Sequence, residues 1–233
     1  MKNEELNLSE SQVLKSFFRS VYAYMFMALI VSGFTSWYVA SSGLFEKLFI
    51  TENGISGLFY VVAFAPLGLA IWMQVRYHKF SKELLVFLFL LYALLIGASL
   101  SSIFLIYDFG SLVSTFFVAG GAFAAMAILG YTTSVDLSKM GSLLYMAFIG
   151  IFIASMANFF IGSSGLSFWI SIIGVFVFTG LTAWEMQKLK ALALNPDIDS
   201  ISKGKLTLIG GLMLYILFIN LFLSLLRLLG GRN

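Results

Sequence analysis

The chain has 233 residues, of which 60% are hydrophobic and only 11% charged. A water-soluble domain carries about 25% charged residues, so lipid must solvate most of this chain, and its length suits one compact membrane domain. The net charge of +3 reports loop orientation in such a protein, and no basic run interleaved with aromatics stands outside the apolar stretches, which excludes a nucleic-acid partner.

Residues 1–20 are polar, carry Glu4, Glu5 and Glu10, and lead into an apolar stretch with no small-residue cleavage site after it. They read as a cytoplasmic tail, not a signal peptide, ahead of a membrane domain over residues 21–233. Seven spans are predicted, at 21–40, 57–75, 84–106, 112–131, 143–161, 166–184 and 206–226. Each holds about 20 residues, enough to cross a hydrocarbon core of about 30 Å as an α-helix. Pro66 is expected to kink the second. Small residues four apart (Ala93, Gly97 and Ser101 in the third span, Gly120–Ala124 and Gly121–Ala125 in the fourth, Gly150, Ala154 and Asn158 in the fifth) predict close helix packing. The connections are short except for 187–205, where Asn195-Pro196-Asp197 signals a turn. The sixth helix is expected to run past the bilayer into that segment. Eleven of the fourteen Lys and Arg fall on one side of this topology. The N-terminus is therefore expected in the cytoplasm and the C-terminus outside.

The last stretch, 206–230, is not uniformly apolar. Gly210, Met213, Leu217, Asn220, Ser224 and Arg227 recur at steps of three and four and share one helical face. Unpaired polar groups are costly against acyl chains, so this stripe is expected to turn inward and to make the last helix the packed centre of an all-α bundle. The plainer reading is packing alone, with Arg227 snorkelling to a headgroup.

Few residues could carry chemistry. Glu185, at the inner end of the sixth span, is a candidate proton- or cation-responsive carboxylate, because a low-dielectric site penalises its charged form. The alternative is an ion pair with Lys188 or Lys190, one turn on, that only anchors the helix end. Asp108 and Asp136 read as loop and helix-terminus residues, and Asn158 and Asn220 as interhelical hydrogen-bonders. There is no cysteine, and the single histidine, His78, lies in a connection. Thiolate sites, His-rich metal clusters and a His-dependent triad within the membrane are excluded. No Walker loop, dinucleotide fingerprint or HExxH motif is present. No cofactor and no metal site is expected, and the chain reads as a non-enzyme.

Three blocks resemble one family. GYTTSVDLSKMGSLLYMAFIGIFIASMANFF at 130–160, TAWEMQKLK at 182–190 and LYILFINLFLSLLRLLG at 214–230 are similar to the corresponding blocks of the Bax inhibitor-1 family, its bacterial branch especially. The resemblance covers all seven spans. It implies a seven-helix fold with the last helix surrounded by the other six, and a pH-sensitive calcium leak. In that family two aspartates, one ending the sixth helix and one in the seventh, share protons and latch the pore. The matching positions here are Glu185 and Leu217, so the resemblance implies a site whose second acid is lost. The expected partners are the lipid bilayer, calcium or protons, and, in an alternative drawn from bacterial relatives, a membrane-bound AAA protease that a non-conducting protein would modulate through its N-terminal tail. The expected location is the bacterial inner membrane.

Overall fold

The structure, a computed structural model, describes residues 2–52 and 54–231, with side chains from residue 10 onward. The described residues form α1 (Lys2–Ser41), α2 (Leu44–Phe49), a two-stranded ribbon of β1 (Ile50–Thr51) and β2 (Gly54–Ile55), α3 (Gly57–Arg76), α4 (Lys82–Leu100), α5 (Ile103–Ile106), α6 (Phe109–Thr132), α7 (Ser138–Ile161), α8 (Ser164–Leu194) and α9 (Ser200–Leu229), with a 3-10 turn at Tyr77–Lys79. Seven helical segments are long and apolar enough to cross a membrane, and they coincide with the seven predicted spans. The chain is an all-α membrane protein.

Three boundaries differ from the sequence expectation. The first helix starts at Lys2, well inside the polar segment. From Leu14 on it carries an apolar face, Leu14, Phe17, Phe18, Val21, Met25 and Ala28, all buried, at the three- and four-residue spacing of an amphipathic helix. The third span breaks at Ser101–Ser102, between α4 and α5. There the Ser101 hydroxyl donates to Ala98 O at 2.5 Å and the Ser102 hydroxyl to Ser99 O at 3.3 Å, offering the backbone carbonyls an alternative to the next helical turn. The sixth helix runs past its span as expected, α8 reaching Leu194, but the last helix, α9, begins at Ser200, ahead of the expected 206. Only 195–199 remain as a turn, closed by Asn195 Oδ1 accepting from Asp197 N at 2.9 Å and by Asp199 Oδ1 capping α9 through Ile201 N and Ser202 N.

By contact the chain divides into two units, Met1–Ile106 with Ala193–Tyr215, and Tyr107–Leu192 with Ile216–Asn233. In the first, α1 and α3 both pack on α4. A Cβ on Gly97 of α4 would stand 2.6 Å from Ser32 O of α1, so only glycine lets the backbones meet there. Tyr215 of α9 is fully buried, its ring edge-on to Phe89 and Tyr92 at 6.2 and 5.9 Å. In the second unit, Phe218 of α9 meets Phe116 and Phe123 of α6 edge-on at 5.2 and 5.6 Å.

Helix α9 is the most buried of the seven. Its most apolar window is 61% buried, against 50% in α8 and none in α7. The polar stripe does not divide an inner from an outer face. Leu208, Leu212, Tyr215 and Leu226, on the opposite side, are as buried as Leu217 and Ser224. The less buried row is Ile209, Met213, Ile216, Asn220, Leu223 and Arg227, at steps of three and four, and it overlaps the stripe at Met213, Asn220 and Arg227.

Candidate functional site

The site builds up from the end of α8 that carries the TAWEMQKLK block. At 31 residues α8 is roughly 45 Å long, more than the hydrocarbon core needs. Glu185 sits nine residues before the end of the helix at Leu194. Its side chain is 2% exposed, while that of Lys188, three residues on, is 44% exposed. The Lys188 ammonium lies 3.1 Å from Glu185 Oε2 and 3.3 Å from Oε1, and 5.2 Å from the centre of the Trp184 ring. Burying the carboxylate is costly, and the half-exposed lysine offsets that cost with a charge-assisted hydrogen bond on each oxygen.

Glycines bring two neighbouring helices close to this end of α8. Gly130 of α6 presses on the Ala183 carbonyl, and Gly141 of α7 lies against the Trp184 ring, each leaving no room for a Cβ. The α6–α7 connection is then clipped to α8 by two side chains. Gln187 Oε1 accepts from Leu137 N at 2.8 Å, and its Nε2 donates to Val135 O at 2.7 Å. Lys190 donates to Tyr131 O at 2.9 Å and stands 4.8 Å from the centre of the Tyr131 ring. Between these clips the Ser138 side chain and then its N–H, which donates to Asp136 Oδ1 at 2.9 Å, hold the Asp136 carboxyl below the usual carboxylate range. Of the two lysines the sequence offered Glu185, Lys188 takes the ion pair and Lys190 the connection.

Leu217 of α9 is 4% exposed and next in sequence to Phe218 of the aromatic cluster. Ser224 Oγ stands 2.7 Å from where a Cβ on Gly174 would lie, which registers α9 against α8. Helices joined by so short a turn run antiparallel. Leu217 lies about two turns before Ser224 on α9 and Glu185 about three turns after Gly174 on α8, so each lies on the face of its helix that makes this contact. The ionic partner of Glu185 is a lysine of its own helix.

The rest of the stripe is structural in its contacts. Asn220 donates to Ile216 O and Ser224 to Asn220 O, both at 2.8 Å within α9. Asn220 therefore back-bonds to its own helix instead of bridging to another. Asn158 does bridge, donating to Ser167 Oγ of α8 at 2.6 Å and accepting from Ser163 N at 3.0 Å. Arg227 is exposed near the α9 C-terminus, where a cation complements the helix dipole. Asp108 caps α6 through Ser111 N at 2.9 Å, a contact that lowers its pKa. No group of three or more His, Cys, Asp or Glu gathers as a metal site among the described residues. Gln187 went unnoticed in sequence, although it lies inside the quoted block. Its signal was a polar side chain two residues from a buried acid.

Comparison with known proteins agrees with this architecture. Residues 14–233 match the protein family described as inhibitor of apoptosis-promoting Bax1. The chain is 42% identical over 222 residues to the inner membrane protein YbhL of Escherichia coli K12, covering 94% of this chain and 93% of that protein. An uncharacterized protein of Borreliella burgdorferi is 41% identical, covering 96% and 95%, and the uncharacterized membrane protein SpyM3_0260 of Streptococcus pyogenes is 33% identical, covering 99% of both. With the family match running over residues 14–233, relatives similar along nearly the whole length and seven helices of membrane length, the chain belongs to the Bax inhibitor-1 family of multi-pass membrane proteins.

Proposed function

We propose that the protein resides in the bacterial inner membrane, N-terminus in the cytoplasm and C-terminus outside, and provides a pH-sensitive leak for calcium or a related cation, controlled at Glu185. The observation that carries this reading is a carboxylate 2% exposed within a membrane-spanning helix, held by a half-exposed lysine. An ionisable side chain at such depth is a functional-site candidate in a membrane protein. Protonating Glu185 breaks its pair with Lys188, and the same end of α8 clips the α6–α7 connection through Gln187 and Lys190. A proton gained or lost there therefore acts on the elements that close that end of the unit. Leu217 stands where the family resemblance implies a second acid, so that position offers Glu185 no carboxylate to share a proton with.

The test is calcium-dye flux in proteoliposomes between pH 6 and 8. Wild type should leak with a pH dependence that Glu185→Gln removes. Leu217→Asp should restore a carboxylate pair and raise the flux, more at neutral than at acid pH. Wild-type flux equal to that of protein-free vesicles at every pH would sink the leak.

The buried leucine at position 217 favours a second reading, a non-conducting protein that modulates a membrane-bound AAA protease through its N-terminal tail. Removing residues 1–9 leaves the buried face that begins at Leu14 intact and should then abolish co-purification with that protease. Undiminished co-purification would exclude the tail as the contact.

A further inference from the structure

Between α1 and α3 the chain makes a short excursion, residues 42–56, that belongs to neither span. Its inside is apolar. Phe49 is 3% exposed and packs with Val39 of α1 and Val62 of α3. The rings of Phe45 and Phe59 stand edge-on to it at 5.4 and 5.6 Å. Ser56 ties the excursion shut, its N–H donating to Phe49 O at 2.9 Å and its hydroxyl to Leu48 O at 2.8 Å. The ribbon is thus held in place by a small core of its own.

Its outside is apolar too. Ile50 and Ile55 are direct partners across the β1–β2 ladder, so both side chains stand on one face of the ribbon. They are 50% and 55% exposed, and Leu48 and Leu58 beside them in sequence are 44% and 46% exposed. Facing water, a paired row of large aliphatics at a sheet edge is an aggregation hazard. The flanking helices show what covers it. Trp37 and Tyr38 near the end of α1 and Tyr60 near the start of α3 are half-exposed, in the manner of the aromatic belts that mark the headgroup level. Phe34 and Val61, 63% and 61% exposed, continue the lipid-facing surface of the same two helices. The ribbon therefore lies at the level of the headgroups, continuous with a surface already in lipid. Glu46, Lys47 and Glu52 keep it from going deeper, because charge is expensive in hydrocarbon.

We propose that the β1–β2 ribbon is a membrane-surface anchor, with Ile50 and Ile55 inserted among the lipids of the leaflet where α1 ends and α3 begins. The partner is the bilayer itself, at the boundary of headgroups and acyl chains, and the device pins the α1–α3 connection to that leaflet. The inference rests on the seven-span fold and is independent of whether the protein conducts.

The chain has no cysteine, so single-cysteine variants can be labelled without further change. Ile50→Cys, Ile55→Cys and Glu52→Cys, each carrying an environment-sensitive fluorophore, are placed in phosphatidylcholine–phosphatidylglycerol vesicles. Each is quenched either by lipid bearing a nitroxide high on its acyl chain or by iodide on both sides of the membrane. Leu48→Cys stands in for any isoleucine variant that does not fold as wild type by thermal melting. Labels at 50 and 55 should be quenched by the nitroxide lipid at least about two-fold more than the label at 52, and shielded from iodide. Labels at 50 and 55 as open to iodide as the label at 52 would overturn the proposal. So would labels shielded from both quenchers, since a second copy or another protein would then cover the ribbon.

Discussion

At the scale of single residues, Glu185 and Lys188 form a lopsided pair, one carboxylate almost wholly buried and one ammonium half in solvent. Losing the lysine strands a buried charge, whereas losing both partners does not. Lys188→Met should therefore destabilise the folded protein by about 1–3 kcal/mol, less than for a fully buried pair because solvent screens the lysine. The double variant with Glu185→Gln should regain most of that loss. Thermal unfolding in detergent of the four members of the cycle measures it, and additive effects would mean that the pair contributes nothing. Leu217→Asp places an acid at a site 4% exposed. It should lower the melting temperature by more than Lys188→Met does, since an unpaired buried acid costs several kcal/mol unless it is protonated.

At the scale of elements, the middle of the connection between α6 and α7 is held by Gln187, one of the two side chains that clip it to α8. Gln187 satisfies both Leu137 N and Val135 O. Gln187→Leu, close in size and unable to hydrogen-bond, removes both contacts and should cost about 1–2 kcal/mol. Hydrogen exchange at the Leu137 amide should speed up while α9 amides stay protected. Unchanged exchange at Leu137 would show that the clip does not hold the connection. The helix caps set a different expectation. Hydrogen bonds to Ser111, Ser138 and Ser202 hold Asp108, Asp136 and Asp199 below their ordinary pKa. A lowered folded pKa gives stability that is complete above the unfolded value, about 3.9, and is lost as pH falls through the folded one. These caps therefore fail only in strong acid. Asp136→Asn should leave any pH dependence of flux between 6 and 8 unchanged, and loss of that dependence in Asp136→Asn would move the sensor away from Glu185.

At the scale of the whole molecule, eleven of fourteen basic residues lie on one side of the seven spans. A reporter fused after Asn233 should register outside the cytoplasm, and one inserted in the 195–199 turn should register inside. The same side for both would mean that α9 re-enters instead of crossing. The burial of the helices also predicts tolerance to change. Gly141 is the sole buried residue described in α7, and around Ile153 the helix is open. Ile153→Leu or Ile153→Phe should leave the stability within about 0.5 kcal/mol of wild type, measured by thermal unfolding in detergent. Gly141→Leu, which collides with the Trp184 ring, should not accumulate in the membrane.

The sequence by itself determined the solvent, the number of spans and the family. Those follow from composition, from stretches of about 20 apolar residues and from three contiguous blocks, all of which are local properties of the chain. It also singled out Glu185 as a candidate, because an ionisable residue near membrane depth stands out against so apolar a background. Helical spacing favours Lys188, three residues on and on the same face, over Lys190, five on, as the partner of that acid. Only the tertiary structure decided what Lys190 reaches instead, Tyr131, more than fifty residues away. The small-residue rows show the same limit. Gly97 meets another helix, whereas Gly120, Gly121 and Gly150 face open space, since spacing alone cannot say which side of a helix has a neighbour. The α9 stripe could not separate inside from outside for a related reason: the less buried row of that helix, from Ile209 to Arg227, mixes apolar and polar side chains and runs through part of the stripe.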